Sequence, residues 1–149
     1  MKKISVVVPC YNEQEALPIF YTETTKELNK IENVTWEFVL VDDGSRDKTL
    51  EVMQKLAAQD DKVKYISFSR NFGKESAMFA GLENSTGDYV VLMDADLQDD
   101  INAIDEMVDK FAEGYEVVYG VRSSRKKDTF FKRTTAQGFY KIMRAMGVD

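Results

Sequence analysis

The chain has 149 residues, of which 44% are hydrophobic and 31% are charged, a balance typical of a globular protein rather than a disordered or collagen-like one. A chain of this length can bury a core that needs neither disulfides nor a structural metal. Histidine is absent, which excludes Ser-His-Asp triads, Cys-His nucleophiles and imidazole-ligated metal sites. The lone Cys10 is interpreted as a buried apolar residue and favours a reducing compartment, so the expected location is the cytoplasm.

Charge is distributed unevenly along the chain. Residues 1–121 carry 12 Lys or Arg against 24 Asp or Glu, whereas residues 122–149 carry 8 against 2. A basic tail on an acidic body can meet an anionic membrane or a phosphorylated ligand, although a solvated helix face explains it equally well. No apolar run approaches the ~20 residues of a membrane span, and no signal peptide is recognised, so no membrane crossing is predicted.

Taken in chain order, the first apolar run, residues 4–9, is rich in β-branched side chains and predicts a strand buried on both faces. Four further runs predict strands, and four apolar stripes at helical spacing predict the helices between them. The predicted strands are 4–9, 36–41, 63–68, 89–93 and 116–121. The predicted helices are 13–31, one with its N-cap at Ser45 or Asp47, 75–85 with Gly87 as its C′ residue, and one from 101 that ends at Gly114.

This alternation predicts an α/β fold, a mostly parallel sheet with helices on both faces in three α/β/α layers. Residues 1–149 are expected to form a single domain. In such open sheets ligands bind outside the carboxyl ends of the strands, so the residues that follow each strand are the candidates for function.

The residues after the fourth strand form the most informative pattern. Asp94 and Asp96 are two apart in extended chain, so their carboxylates can point to the same side, and Gln98 repeats the spacing. Carboxylate and amide oxygens without imidazole or thiolate favour a hard cation, Mg²⁺ or Mn²⁺, which completes its shell with water and substrate phosphates. The alternative is that these acids only cap the next helix.

A second acidic pair, Asp42 and Asp43, follows the second strand. A turn with Gly44 at positive φ explains the glycine better than it explains two adjacent acids, so one acid is expected to bind ligand. No G-x-G-x-x-G motif and no P-loop is present. A diphosphate would instead be held by a divalent ion, Lys74 or Arg122.

Four motifs resemble those of the inverting family 2 glycosyltransferases, which have the GT-A fold, and in particular the dolichyl- and undecaprenyl-phosphate sugar synthase branch. The resemblance spans the chain and lies in residues 7–13 (VVPCYNE), 41–49 (VDDGSRDKT), 70–74 (RNFGK) and 87–99, which contain the D-x-D motif. It implies transfer of a sugar, with inversion, from a nucleotide-diphospho-sugar, expected to be UDP-linked. The implied acceptor is a polyprenyl phosphate at the membrane face, the implied pathway is cell-wall or surface polysaccharide synthesis, and no nucleic-acid partner is expected.

The resemblance also implies roles for individual residues. Asp94 would reach the ribose or the metal, Asp96 and Gln98 would hold the ion, and Arg122 would reach the diphosphate or the donor sugar, with Lys74 as a helper. The residues implied around the nucleoside are Pro9, Tyr11, Glu13 and Asp42.

This chain departs from the family pattern in two places. Asp100-Ile101 replaces the usual Pro-Pro pair, which predicts a looser start to the following helix. No general base is assignable, and we expect it beyond Asp149 in a longer protein. An exposed sheet edge could then drive self-association into a homo-oligomer, and residues 129–146 are predicted to form a basic amphipathic helix that lies on a membrane or packs on the sheet.

The rival hypothesis from another class is a phosphoacceptor receiver module, which is also α/β. It would require an acidic pair after the first strand, an aspartate after the third and a lysine after the fifth, whereas the acids here follow the second and fourth strands and Arg122 replaces the lysine. A phosphatase with an aspartate nucleophile is disfavoured because its D-x-D-x-T run would follow the first strand.

Overall fold

The computed structural model describes residues 1–120, in which strands and helices alternate along the chain. The elements are β1 (Lys2–Cys10), α1 (Ala16–Leu28), β2 (Val34–Asp42), α2 (Thr49–Gln59), β3 (Val63–Ser67), α3 (Lys74–Glu83), β4 (Tyr89–Leu92) and α4 (Ala103–Ala112). Contacts group the chain into two units, 1–118 and 119–149. None of the described helices has the length and apolar character of a membrane span.

The four strands form one sheet in the order β3-β2-β1-β4, and every neighbouring pair is parallel. Cys10 of β1 pairs with Asp42 of β2, which in turn pairs with Ser67 of β3. The carboxyl ends of these three strands are therefore level. This register brings the loops that follow the strands to one edge of the sheet, where a ligand site is expected.

Helices cover both faces of the sheet, which confirms the predicted α/β/α arrangement. On one face Ile4, Val6 and Val8 of β1 pack in a fully buried cluster with Phe38 of β2 and residues of α1, α2 and α4. The side chains at the intervening positions of these strands point to the opposite face of the sheet, as the period of two in a strand requires. On that opposite face α3 packs against β1 and β2.

Three predictions about individual elements are wrong. Residues 116–120 form no strand, because apolar side chains alone do not make one without a hydrogen-bonded neighbour. Gly87 is not the C′ residue of α3, since that helix ends at Glu83; its N–H instead donates to Ser5 Oγ at 2.8 Å. The cap position of α2 is Lys48, whose own side chain makes no capping hydrogen bond, although Asp47 Oδ1, one residue earlier, accepts from the Thr49 N–H at 2.9 Å.

Candidate functional site

A cleft lies at the carboxyl edge of the sheet, between the ends of β1 and β2, the start of α3 and the loop after β4. Its walls combine acidic, aromatic and small side chains with a single lysine among the described residues. The residues that line it are Pro9, Cys10, Tyr11, Glu13, Asp43, Lys74, Ala77, Asp94, Ala95 and Asp96. The topology thus brings residues from four distant segments of the chain into one site.

Hydrogen bonds fix the loop after β1 against the loop after β2. The Asn12 N–H donates to Ser45 Oγ at 2.9 Å, and Asn12 Oδ1 accepts from the Arg46 N–H at 2.8 Å. Asn12 has a φ of 57°, a left-handed conformation that asparagine tolerates better than most residues. The Glu13 N–H donates to Thr49 Oγ1 at 2.8 Å, so the first residue of α2 also helps to position this acid.

The adjacent acids Asp42 and Asp43 are both buried but point to different partners. Asp42 Oδ1 accepts from the Ser45 N–H at 3.1 Å, and its Oδ2 accepts from Ser67 Oγ at 3.3 Å. Asp43 lines the cleft, and its two oxygens accept from the N–H groups of Phe72 and Gly73 at 2.7 and 3.1 Å. Asp42 therefore braces its own turn, whereas Asp43 ties β2 to the start of α3.

Gly44 allows the loop after β2 to approach the loop after β3. Its φ is +69°, and a Cβ placed on it would lie 2.3 Å from the carbonyl carbon of Arg70. No side chain fits against backbone at that distance. Glycine at this position is therefore required twice, for its conformation and for its lack of volume.

The third and fourth loops meet through an ion pair. Lys74 Nζ lies 2.7 Å from each carboxylate oxygen of Asp94. In the loop that follows, Asp96 Oδ1 accepts from the Gln98 N–H at 3.0 Å. Leu97 between them has a φ of 59°, a strained conformation for a residue of this kind, and such strain is concentrated at functional sites.

The cleft carries excess negative charge, which alters the pKa of the groups around it. Burial raises the pKa of Glu13, and the charges of Asp96, Asp47 and Asp94 raise it further. Burial also raises the pKa of the Cys10 thiol, with the acids around it acting in the same direction. Cys10 is therefore a neutral thiol in a buried position, as the sequence predicts. The excess of carboxylates in the cleft attracts a cation.

The donor atoms suit Mg²⁺ or Mn²⁺ only when a ligand completes the shell. Asp94 and Asp96 offer carboxylates to the same cleft, and hard divalent cations take few protein ligands, with substrate phosphates and water filling the rest. Within residues 1–120, no three His, Cys, Asp or Glu side chains converge to hold an ion by themselves. The chain therefore fits a metal that arrives with an anionic ligand.

The structure brings together six of the residues that the sequence singles out, namely Pro9, Tyr11, Glu13, Lys74, Asp94 and Asp96. Asp42 and Gln98 are absent from the cleft lining. Arg122 and the predicted helix at 129–146 lie outside the described residues. Sequence reasoning missed the part played by Asp43, for which the signal was the unexplained pair of adjacent acids.

A profile for Glycosyl transferase family 2 matches residues 5–147. The prophage bactoprenol glucosyl transferase homolog of Escherichia coli K12 is 46% identical over 94% of this chain and 45% of its own length. The uncharacterized glycosyltransferase YkcC of Bacillus subtilis is 44% identical over 95% of this chain and 44% of its own length. The chain thus spans less than half the length of these relatives.

Solved structures share the fold. TarS of Staphylococcus aureus in complex with UDP matches 84% of this chain and 40% of its own with a TM-score of 0.60 at 23% identity. A mannosyltransferase from Pyrobaculum calidifontis, in complex with GDP-Man and Mn²⁺, matches 72% of this chain and 31% of its own with a TM-score of 0.57 at 25% identity. These likenesses confirm the expected GT-A architecture.

Proposed function

The chain belongs to glycosyl transferase family 2, and from this premise we propose that its cleft binds a UDP-linked sugar together with Mg²⁺ or Mn²⁺. The protein then transfers the sugar, with inversion, to a polyprenyl phosphate. The observation that carries this proposal is the convergence of Asp94, Asp96 and Glu13 with Lys74 at the carboxyl edge of the sheet. An acidic cleft with one lysine suits a diphosphate only when a divalent ion offsets the repulsion between like charges.

Different residues of the cleft are assigned to the nucleoside and to the diphosphate of the donor. We assign the nucleoside to Pro9, Tyr11 and Glu13, whose side chains line the wall formed by the end of β1. Of the two adjacent acids, Asp43 replaces Asp42 in this role, because Asp43 lines the cleft and Asp42 does not. This choice is supported by the cleft lining alone.

The diphosphate lies on the opposite side of the cleft. Asp94 and Asp96 would hold the divalent ion, with Gln98 as the third ligand that the sequence pattern predicts, and Lys74 and Arg122 would contact the phosphate oxygens. When bound, the ion stabilises the negative charge that grows on the departing nucleoside diphosphate. Lys74 adds a positive charge to the same leaving group, while Tyr11 and Pro9 restrict the pose of the nucleoside.

The relatives support a choice of sugar and acceptor. The Escherichia coli and Shigella phage SfX proteins are named bactoprenol glucosyl transferases, which supports glucose as the sugar and a bactoprenol-type lipid phosphate as the acceptor in surface polysaccharide synthesis. The TarS complex with UDP supports a uridine nucleotide. A lipid acceptor would bring the protein to the cytoplasmic face of the membrane, where a homo-oligomer could form through the outer edge of β4, which pairs with no strand other than β1 within residues 1–120.

Isothermal titration calorimetry with UDP, GDP and UDP-glucose tests the donor assignment. Each ligand is titrated with Mn²⁺ or Mg²⁺ and again with EDTA. We expect UDP and UDP-glucose to bind with the metal and to bind at least about tenfold more weakly with EDTA. Failure of every nucleotide to bind under all conditions would contradict the proposal for this chain.

Substitution of Asp96 tests the metal assignment. Asp96→Ala should abolish metal-dependent UDP binding and leave the melting temperature nearly unchanged, because an exposed acid in a like-charged cleft contributes little to packing. Asp96→Asn keeps an oxygen for the Gln98 N–H and should lose UDP as well. Asp61→Ala, which removes an exposed acid from the turn before β3, is the control that should bind like the unaltered chain.

A further inference from the structure

Lys74 forms an ion pair with Asp94, whose carboxylate is a proposed ligand of the metal. Its ammonium lies 2.7 Å from both oxygens of Asp94, so each oxygen already has a positively charged partner. Among the described residues that line the cleft, Lys74 is the one cation beside Glu13, Asp43, Asp94 and Asp96. The lysine therefore stands where a cation is most favoured.

A divalent ion and this ammonium cannot both contact Asp94 in the same way. Metal ligation uses lone pairs of the carboxylate oxygens at about 2.0–2.1 Å for Mg²⁺, and the ammonium of Lys74 already takes one lone pair on each oxygen of Asp94. Two cations on one carboxylate would also repel each other at contact distance. Metal binding is therefore favoured when the lysine moves away.

The ion pair between Lys74 and Asp94 is weak enough for each partner to exchange the other for a ligand. The side chains of Lys74 and Asp94 are 55% and 41% exposed, and pairs at this exposure contribute little net stability because water solvates both partners. Asp43 meanwhile holds the backbone of Phe72 and Gly73 through two hydrogen bonds. The start of α3 therefore stays in place while the flexible lysine side chain swings.

We propose that Lys74 is a placeholder cation: it neutralises Asp94 before the donor binds and moves to the donor diphosphate when the divalent ion takes its place. This inference rests on the proposed function. Metal and nucleotide should consequently bind cooperatively, because the diphosphate offers Lys74 a new partner and so releases Asp94 to the metal. Either ligand alone meets a less favourable site.

The Lys74→Met variant tests separately the effect of Lys74 on metal binding and its effect on nucleotide binding. Mn²⁺ binding without nucleotide, measured from the electron paramagnetic resonance of the free ion, should become about three- to tenfold tighter, because the competing ammonium is gone. UDP binding at saturating Mn²⁺ should become about tenfold weaker, because the diphosphate loses a charge-assisted partner. Lys74→Arg should restore weak Mn²⁺ binding and most of the UDP affinity.

A charge control keeps the result specific. Arg70→Met removes a positive charge from the loop that leads into α3, but Arg70 lies over the ring of Phe72 and is not an ion-pair partner of Asp94, so the affinity for Mn²⁺ alone should change by less than about twofold. Unchanged Mn²⁺ affinity in Lys74→Met, or an equal gain in Arg70→Met, would overturn the placeholder role while UDP binding by the unaltered chain still supports the proposed function. If the unaltered chain binds no UDP, the proposed function itself falls.

Discussion

Glu37 holds a buried negative charge in the middle of β2, on the face that α3 covers. Its carboxylate accepts from Lys3 Nζ at 2.6 Å, Ser5 Oγ at 2.8 Å and the Thr86 N–H at 2.8 Å, and Lys64 Nζ lies 2.9 Å away. Burial alone would raise the pKa of Glu37, but these partners outweigh it and hold the pKa well below its ordinary value. One residue thus links β1, β2, β3 and the segment before β4.

This pKa shift predicts a loss of stability in acid. Because folding lowers the pKa of Glu37 below 4.5, its contribution is complete above that pH and is lost as the pH falls below it. Glu37→Gln should lower the free energy of unfolding at pH 7 by about 1–3 kcal/mol, since a neutral amide leaves two ammonium groups without their counter-charge and replaces one acceptor oxygen by an NH₂ donor. Urea denaturation at pH 7 and pH 3.5 measures both effects.

The variant should also lose less stability than the unaltered protein between those two pH values. Glu23→Gln, which breaks an exposed pair with Lys26, should change stability by less than about 0.5 kcal/mol and keep the acid sensitivity. Equal acid sensitivity in the Glu37→Gln variant and the unaltered protein would contradict this account.

At the level of elements, α3 lies unusually close to the sheet. A Cβ placed on Gly81 would lie 2.2 Å from Cγ1 of Val7 in β1 and 3.4 Å from Cγ2 of Val41 in β2. Valine is stiff at χ1 and cannot easily turn aside. The depth at which α3 packs, and with it the position of Lys74 at its first turn, therefore depends on a missing side chain.

Gly81→Ala should push α3 away from the sheet and lower the free energy of unfolding by about 1–2 kcal/mol, the overlap outweighing the higher helix propensity of alanine. In a Val7→Ala background the same substitution should stabilise the protein, because the obstructing methyl is gone and the propensity gain remains. Thermal and urea unfolding of the unaltered protein and the three variants in the cycle measure the reversal. A destabilisation of the same size in both backgrounds would show that the contact with Val7 is not its cause.

At the level of the whole molecule, the separation of charge along the sequence predicts how the chain would meet an anionic membrane surface. The acidic residues dominate 1–121 and the basic ones 122–149. An anionic bilayer attracts each nearby Lys or Arg by about 1 kcal/mol and repels an acidic body. The chain should therefore approach such a surface by its basic segment.

Sedimentation with vesicles tests this orientation. The chain should bind vesicles that contain phosphatidylglycerol at low salt, release them at high salt, and ignore vesicles of phosphatidylcholine. Changing Lys132, Arg133, Lys141 and Arg144 to Gln should abolish binding, whereas changing Lys26, Lys30, Lys55 and Lys110 to Gln should preserve it. Equal absence of binding to both kinds of vesicle would contradict a membrane role for this segment.

The sequence alone determined the alternation of strands and helices and the sheet edge that carries the site. Apolar runs such as residues 4–9 and 36–41 reveal buried strands because burial on both faces leaves no polar position. The ligand edge is marked by the polar residues that follow such runs, above all Asp94 and Asp96, because the chain leaves the buried sheet at these positions. These features are local, and a local pattern is sufficient to predict them.

Only the tertiary structure decided which of these residues meet and which neighbour each one chooses. Asp42 and Asp43 are equivalent in the sequence, yet the pleat turns one toward Ser67 and the other toward Phe72 and Gly73. The pairing of Lys74 with Asp94, 20 residues apart, and the absence of a strand at residues 116–120 likewise depend on partners distant in the chain. Strand pairing and side-chain contacts are properties of two segments at once, so neither segment's sequence specifies them by itself.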